Sequence, residues 1–290
     1  MAASEARPPV ASSAHAGMSA VCADLLDECR ELAALAQTLT PRQWRTETGF
    51  FGWTPWDEIA HLCFFDETGL LAASDAAAFG EAAAVLAAQM AAGREISAIA
   101  REKYAAMDGP QLLAHWRACF DALAGVLASL DVRARLPWYG PAMSARSFAT
   151  ARIMETWAHG QDIFDAMGVR RPPSHRLKHI AHLGAGTFAW TFVNRGLPVP
   201  TPAPYVELRT ADGDTWTWGA VSSEHYVRGP AEDFCLLVTQ RRNVADTALR
   251  YGGEPAARWL SMAQCFAGEP ATPPAPGVRA VRYAEAGDAG

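Results

Sequence analysis

A mainly α-helical chain, with a helix bundle followed by a smaller α+β region, is what three observations in the sequence predict. Apolar residues recur at helical spacing through most of the chain before residue 170. A double proline, Pro172-Pro173, then interrupts the pattern. Beyond it, Tyr205-Val206-Glu207-Leu208-Arg209 and Thr215-Trp216-Thr217-Trp218 alternate around Asp212-Gly213-Asp214, which reads as a β-hairpin. With 290 residues, the chain is near the size at which a single core stops growing, so two domains are expected. The division reads as a disordered Ala-, Ser- and Pro-rich leader at 1–17 and a helical bundle at 18–172. An α+β domain follows at 173–268, then a loose Pro-, Ala- and Gly-rich tail at 269–290.

Taken in order, Val21, Leu25, Leu32 and Leu35 mark a first helix over 19–38, ended by Thr40-Pro41. Thr54-Pro55-Trp56-Asp57 opens the second. Thr54 suits the N-cap, Pro55 the first helical position, and Asp57 closes a capping box. Residues 70–106 are Ala-rich helix, broken near Ser74-Asp75 and Gly93, and Gly109-Pro110 opens another helix with a stripe from Leu112 to Leu130. The loop Arg135–Met143 holds two prolines and a glycine yet carries Trp138 and Tyr139, aromatic side chains that need a surface to cover. Ser144 or Ser147 caps the next helix. Ser174–Asn194 reads as one long helix, His225-Tyr226-Val227 as a third strand, and Pro230–Gln240 and Glu254–Phe266 as closing helices.

Composition excludes several classes. Net charge is −6 and no basic stripe appears, so a nucleic-acid partner has no electrostatic footprint. No apolar run reaches the roughly 18 residues of a membrane span. No charged segment followed by an apolar core opens the chain, so no signal peptide is expected. Six cysteines, Cys22, Cys29, Cys63, Cys119, Cys235 and Cys265, are scattered without a C-x-x-C pair. They read as reduced core residues of a cytoplasmic protein.

The chemistry concentrates in Arg152-Ile153-Met154-Glu155-Thr156-Trp157-Ala158-His159-Gly160-Gln161-Asp162. On a helix, Glu155 and His159 stack one turn apart, with Asp162 and Arg152 on the same stripe. A carboxylate and an imidazole at this spacing can grip one metal ion, although such pairs are more often plain hydrogen bonds. His61, two turns into the second helix, is the partner that a bundle brings to such a pair from a facing helix. A rival set, His175, His179 and His182, shares one face of a later helix, amid Arg171, Arg176 and Lys178 and with no carboxylate in the segment. It reads as a basic helix at the domain junction.

W-T-P-W-D-x-x-A-H-L around His61 and E-T-W-A-H-G-Q-D around His159 resemble the DinB superfamily, and more narrowly the mycothiol-dependent maleylpyruvate isomerase family. The loop L-P-W-Y-G-P-A-M-S points to a metal-binding branch of it. The stretch T-Q-R-R-N-V-A-D followed by Y-G-G-E-P-A-A-R-W-L is similar to the family's second domain in part only, since the usual pattern there has W-G-R-R and G-D. The resemblance implies a DinB-like four-helix bundle with His61, Glu155 and His159 as ligands of a divalent metal, zinc first, iron or nickel as alternatives. It also implies that an arginine of the second domain, Arg241 or its neighbour Arg242, reaches toward the site. Asp162 recurs in the family motif; it is expected either behind the metal, accepting a hydrogen bond from a ligand imidazole, or as a plain acid on the helix surface.

Members of this family add a low-molecular-weight thiol such as mycothiol to an electrophile, so the resemblance implies a thiol-using isomerase or S-transferase acting on a small-molecule substrate. No cysteine of the chain matches a nucleophile position; Cys63, two residues from His61, turns to another helix face. A metal-dependent hydrolase with Asp162 or Asp57 as general base, and a non-catalytic metal- or ligand-binding module, are the alternatives. For the thiol enzyme, Arg241, Arg242 and Arg152 are the cations available to an anionic ligand. Trp53, Trp138 and Tyr139 are expected to wall a cleft at the open metal position.

Overall fold

The structure, a computed structural model, describes residues 13–281 and Tyr283. Of the expected leader, residues 1–12 lie outside the described residues and 13–17 form the start of α1. Six helices build the bundle: α1 (Ser13–Ala36), α2 (Pro55–Ser74), α3 (Ala76–Ala91), α4 (Ile96–Tyr104), α5 (Gly109–Ser129) and α6 (Ala145–Ala166). The four long ones, α1, α2, α5 and α6, pack on one another around Leu25, Leu32, Ile59, Leu62, Leu112, Trp116, Leu123, Phe148 and Ile153. Burying each such side chain contributes about 1.5–3 kcal/mol.

The start of α2 forms as its residues dictate. Asp57 N–H donates to the Thr54 hydroxyl, and Thr54 N–H donates to the Asp57 carboxylate at 2.8 Å. Ser144 caps α6, accepting from Ser147 N–H at 3.1 Å. The loop between α5 and α6 is more regular than its prolines suggest. Arg135–Leu136 (β1) and Met143–Ser144 (β2) pair antiparallel, so Pro137, Gly140 and Pro141 sit in the turn rather than in the ladder.

The rest of the described chain comprises α7 (Leu177–Gly186), α8 (Phe188–Val193), β3 (Tyr205–Arg209), β4 (Thr215–Trp218), β5 (Tyr226–Pro230), α9 (Ala231–Val238), β6 (Arg250–Gly252) and α10 (Glu254–Leu260). The hairpin β3–β4 pairs Arg209 with Thr215, and the sheet order is β4-β3-β5-β6, with β5 parallel to β3. Three expectations change here. The long helix breaks into α7 and α8 at Thr187, whose hydroxyl turns back to bond the Leu183 and Gly184 carbonyls. Gly184 earns its place by close approach, since a Cβ there would lie 2.9 Å from Phe234 and Val238 of α9. A fourth strand, β6, occupies the Tyr-Gly-Gly stretch, and α10 stops at Leu260 rather than Phe266.

A second core gathers Leu177, Ile180, Phe188, Phe192, Leu208, Val227, Phe234 and Trp259. Helix α6 feeds both cores, sending Ile153 and Ile163 into the first and Met154 and Trp157 into the second. Pro172-Pro173 is exposed, but the arginines flanking it are anchored: Arg171 and Arg176 both pair with Glu28 and Glu31 of α1. Of the tail expected to be loose, residues 269–281 are tied down, and 282 and 284–290 lie outside the described residues. Ala271 and Pro274 carbonyls accept bonds from Arg195 and Asn243, Gly277 N–H donates to Asp246, and Arg279 is buried. Its polar backbone finds these partners where a Pro-rich composition gave no sign of them.

Candidate metal centre

Helix α6 combines near-complete burial with an unusual share of polar side chains: Thr150, Arg152, Thr156, His159, Gln161 and Asp162 are all buried. Buried polar groups need partners. Arg152 donates to Asp66 of α2 at 2.8 Å, and the same carboxylate accepts the Trp116 indole N–H at 2.8 Å. Gln161 donates to Asp165, and Asp162 accepts from Arg241 at 2.7 Å and from Arg279. His159 Nδ1 meets Glu58 Oε2 of α2 at 2.7 Å, and the Thr48 hydroxyl donates to the other oxygen of Glu58 at 3.0 Å.

Gln161 leaves its Oε1 unpaired, and the side chains of His61 of α2 and Glu155 of α6 make no hydrogen bond at all among the described residues. Donor atoms of His61, Glu155 and His159 all lie within 4.8 Å of one another. One oxygen of Glu155 sits 3.4 Å from His159 Nε2 and 3.7 Å from His61 Nε2. Both separations are long for a charge-assisted hydrogen bond. They approximate the ~3.3 Å edges of a tetrahedron with ~2.0 Å metal–ligand bonds. His61 Nδ1 is buried without a partner among the described residues. The two imidazole rings lie 4.3 Å apart. A donor set with its lone pairs converging and its hydrogen bonds unmade fits a divalent cation.

Electrostatics agree. Burial, then the neighbouring His61, pushes His159 down to about 3, so the ring is neutral and offers a lone pair. A proton on Nδ1, shared with Glu58, leaves Nε2 free for an ion. Burial works to raise the Glu155 carboxyl, but the imidazoles of His159 and His61 beside it outweigh burial and hold it well below the usual carboxylate range. Burial, then the Asp162 charge, pushes the Glu58 carboxyl up.

The wall of the centre is aromatic. Trp53 stacks on His159 at 5.8 Å and leans on His61 at 5.4 Å. Phe50 meets His159 edge-on at 5.2 Å, and Phe65 touches His61 at 4.8 Å. Trp138 and Tyr139 stand one ring further out, reaching the centre only through Phe65, at 6.2 and 6.0 Å from it.

Several sequence expectations are redistributed. Glu58, not Asp162, holds the His159 imidazole; Asp162 faces Arg241 and Arg279 instead, because two guanidiniums outcompete a neutral ring for one carboxylate. Arg241 does come to the site from the second half of the chain. It is buried, with its guanidinium 4.5 Å from the Phe50 ring. Arg242 turns away and pairs with Asp165, which also accepts the Tyr283 hydroxyl, while Arg152 is taken by Asp66. The rival histidines separate: His175 and His179 pair with Asp24 of α1, and His182 accepts the Trp218 indole N–H. Glu58, Phe50, Phe65 and Arg279 were not singled out from the sequence. Glu58 had a signal, since it lies three residues before His61 on the same helix face. Arg279 had none.

A partly buried helix-bundle centre of two histidines and a glutamate, with a carboxylate behind one imidazole, defines a candidate metal-site protein. Residues 25–164 match the family described as mycothiol maleylpyruvate isomerase N-terminal domain. An uncharacterized protein of Mycobacterium tuberculosis, found in two strains, is 43% identical over 248 residues, covering 86% of this chain and 95% of that protein. A crystal structure of the mycothiol-dependent maleylpyruvate isomerase aligns with a TM-score of 0.49 at 13% identity, over 76% of this chain and 88% of that one. The chain belongs to the mycothiol maleylpyruvate isomerase-like family.

Proposed function

We propose that the chain is a thiol-using enzyme of the isomerase or S-transferase type, with His61, Glu155 and His159 holding a divalent metal, zinc first. The observation that carries this reading is the convergence of three donors that make no good hydrogen bonds with one another, in a family named for a thiol-dependent isomerase. A zinc ion there would hold a small thiol as its thiolate and polarise a substrate carbonyl.

The chain's own residues do the rest. Glu58 fixes the tautomer and orientation of His159, and Thr48 fixes Glu58. Arg241 and Arg279 clamp Asp162 and lie against Phe50, holding the aromatic wall in place. We assign Asp162 and Arg241 positioning roles, because both are too buried to touch a substrate as they stand. Trp53, Phe50 and Phe65 exclude water from the reacting side. Glu155 and His61, one quarter and one sixth exposed, form its open edge. Tyr139, partly exposed, and Trp138 behind it would flank the approach of a small electrophile such as an unsaturated acid or acyl compound. Residues 18–172 thus supply the donors and 173–268 the arginine. All six cysteines are free and buried, which suits a cytoplasmic setting and leaves the nucleophile to an external thiol.

Two observations favour this over a hydrolase on the same ligands. The carboxylates that would serve as general base are engaged, Asp162 by two arginines and Asp57 by its capping box and Arg101. The test is turnover by metal-loaded protein of unsaturated acids and acyl compounds, with and without mycothiol, glutathione or bacillithiol. Turnover that needs both metal and a thiol is the expected result. Metal-dependent turnover indifferent to every thiol would make it a hydrolase, and no turnover with tight ligand binding would make it a binding module.

A further inference from the structure

His61 turns toward α6; Cys63, two residues on, turns toward α5. There a second set of four donors meets, one that the proposed chemistry does not use. Helix α2 supplies Cys63 and Glu67, and α5 supplies His115 and Cys119, each pair spaced four apart and so stacked on one face. One donor atom from each lies within 4.8 Å of all the others. The two sulfurs are 3.9 Å apart, Cys119 Sγ is 3.9 Å from Glu67 Oε1, and His115 Nε2 is 2.6 Å from that same oxygen.

The geometry points to a second, closed metal site: a zinc ion held by Cys63, Glu67, His115 and Cys119. The sulfur separation is close to the ~3.8 Å edge of a tetrahedron with ~2.3 Å zinc–sulfur bonds. Two thiolates with imidazole are a soft set that selects zinc over magnesium or calcium. Four protein donors leave no position for a substrate, which makes the site structural. Lys103 pairs with the other oxygen of Glu67, so Oε1 is the oxygen on the cluster side; it now meets His115 Nε2 at 2.6 Å, a bond that would open when both groups take the ion. Two thiolates, one carboxylate and a divalent ion carry one surplus negative charge, and Lys103 offsets it.

A separate observation points the same way. The Tyr104 hydroxyl is buried beside Cys63 and Glu67 without a well-formed hydrogen bond to either. Its ring lies 5.9 Å from that of His115. A donor placed there is what a thiolate or carboxylate ligand needs behind it. His115 is more than one third exposed, so an ion has a way in from solvent. The site would pin α2 to α5 directly behind His61, and it does not rest on the function proposed for the first centre.

The test uses the full chain, reduced with a phosphine rather than a thiol, freed of metal and titrated with cobalt(II). Thiolate ligation gives a near-ultraviolet sulfur-to-cobalt charge-transfer band, and a site of two histidines and a glutamate gives none. The band is expected in the wild type and in His61→Ala/His159→Ala, and lost in Cys63→Ser/Cys119→Ser. If that last variant fails to fold, His115→Ala and Glu67→Gln at the rim carry the test, each expected to weaken cobalt binding at this site by about tenfold or more. No band in the wild type, a band surviving loss of both cysteines, or rim variants that bind cobalt undiminished would overturn the site. So would a Cys63–Cys119 disulfide whose reduction restores no metal uptake.

Discussion

The interface between α2 and α6 holds two polar clusters that look alike in the sequence and differ in the fold. In one, Asp66, Arg152 and Trp116 satisfy one another: the carboxylate accepts both the guanidinium and the indole, at 2.8 Å each. In the other, one turn along, Glu155 faces His159 at 3.4 Å and His61 at 3.7 Å. The first cluster is fully buried, while His61 and Glu155 of the second are about one sixth and one quarter exposed. A polar group kept for architecture is here both buried and satisfied; the pair facing His159 is partly open and leaves its hydrogen-bonding capacity unmet.

That contrast can be broken most directly by stability. Asp66→Ala leaves Arg152 charged, buried and unpaired, a loss of about 3–5 kcal/mol. His61→Ala in metal-free protein removes no hydrogen bond, and about 1 kcal/mol is expected. Denaturant midpoints of the two variants, measured without metal, check this. Equal losses would make His61 a second architectural residue and remove the distinction.

Arg279→Ala comes next. It withdraws one of two guanidiniums from Asp162, a charge-assisted bond worth about 1.5–3 kcal/mol. The loss should appear in thermal unfolding whether or not metal is bound, because Arg279 contacts none of the three donors. A loss confined to the metal-loaded form would place Arg279 in the centre itself.

Glu58→Gln sharpens the comparison from the other side. The amide keeps the shape of the carboxylate but not its charge behind His159, so metal affinity should fall about 10–100-fold with the fold retained. Competition against a chromophoric chelator gives the affinity and circular dichroism the fold. Unchanged affinity would show that His159 needs no carboxylate partner.

What the sequence made legible follows the same division. His61, Glu155 and His159 could be read as neighbours because two helical registers and a bundle bring them together. The capping box at Thr54 and Asp57 was legible for a similar reason, being local. What stayed hidden depends on long-range pairing. Asp162 sits one turn from His159 by spacing, yet its partners come from Arg241, 79 residues away, and Arg279, 117 away. Strand β6 is only Arg-Tyr-Gly, too short and with too little periodicity to be read as a strand, and exists because β5 offers an edge. Cys63 and Cys119 looked scattered because 56 residues separate them.

The smallest expected effect concerns Tyr139, which tests how far the open edge of the centre extends. Its ring packs on Phe65 at 6.0 Å and Phe79 at 5.4 Å, and it remains 39% exposed. Phe65 in turn touches His61, so Tyr139 sits at one remove from the donors and can meet only a ligand larger than the ion. Tyr139→Ala should leave metal affinity unchanged, since no donor loses a contact. If the ring flanks the substrate, KM should rise by roughly fivefold, the equivalent of about 1 kcal/mol of aromatic contact, with kcat held. Trp53→Ala supplies the contrast, because its ring stacks directly on His159 and its removal should lower kcat as well. A Tyr139→Ala variant with both constants unchanged would end the approach at Phe65, leaving Tyr139 and Trp138 as the cover of the Phe79 and Phe148 packing beneath them.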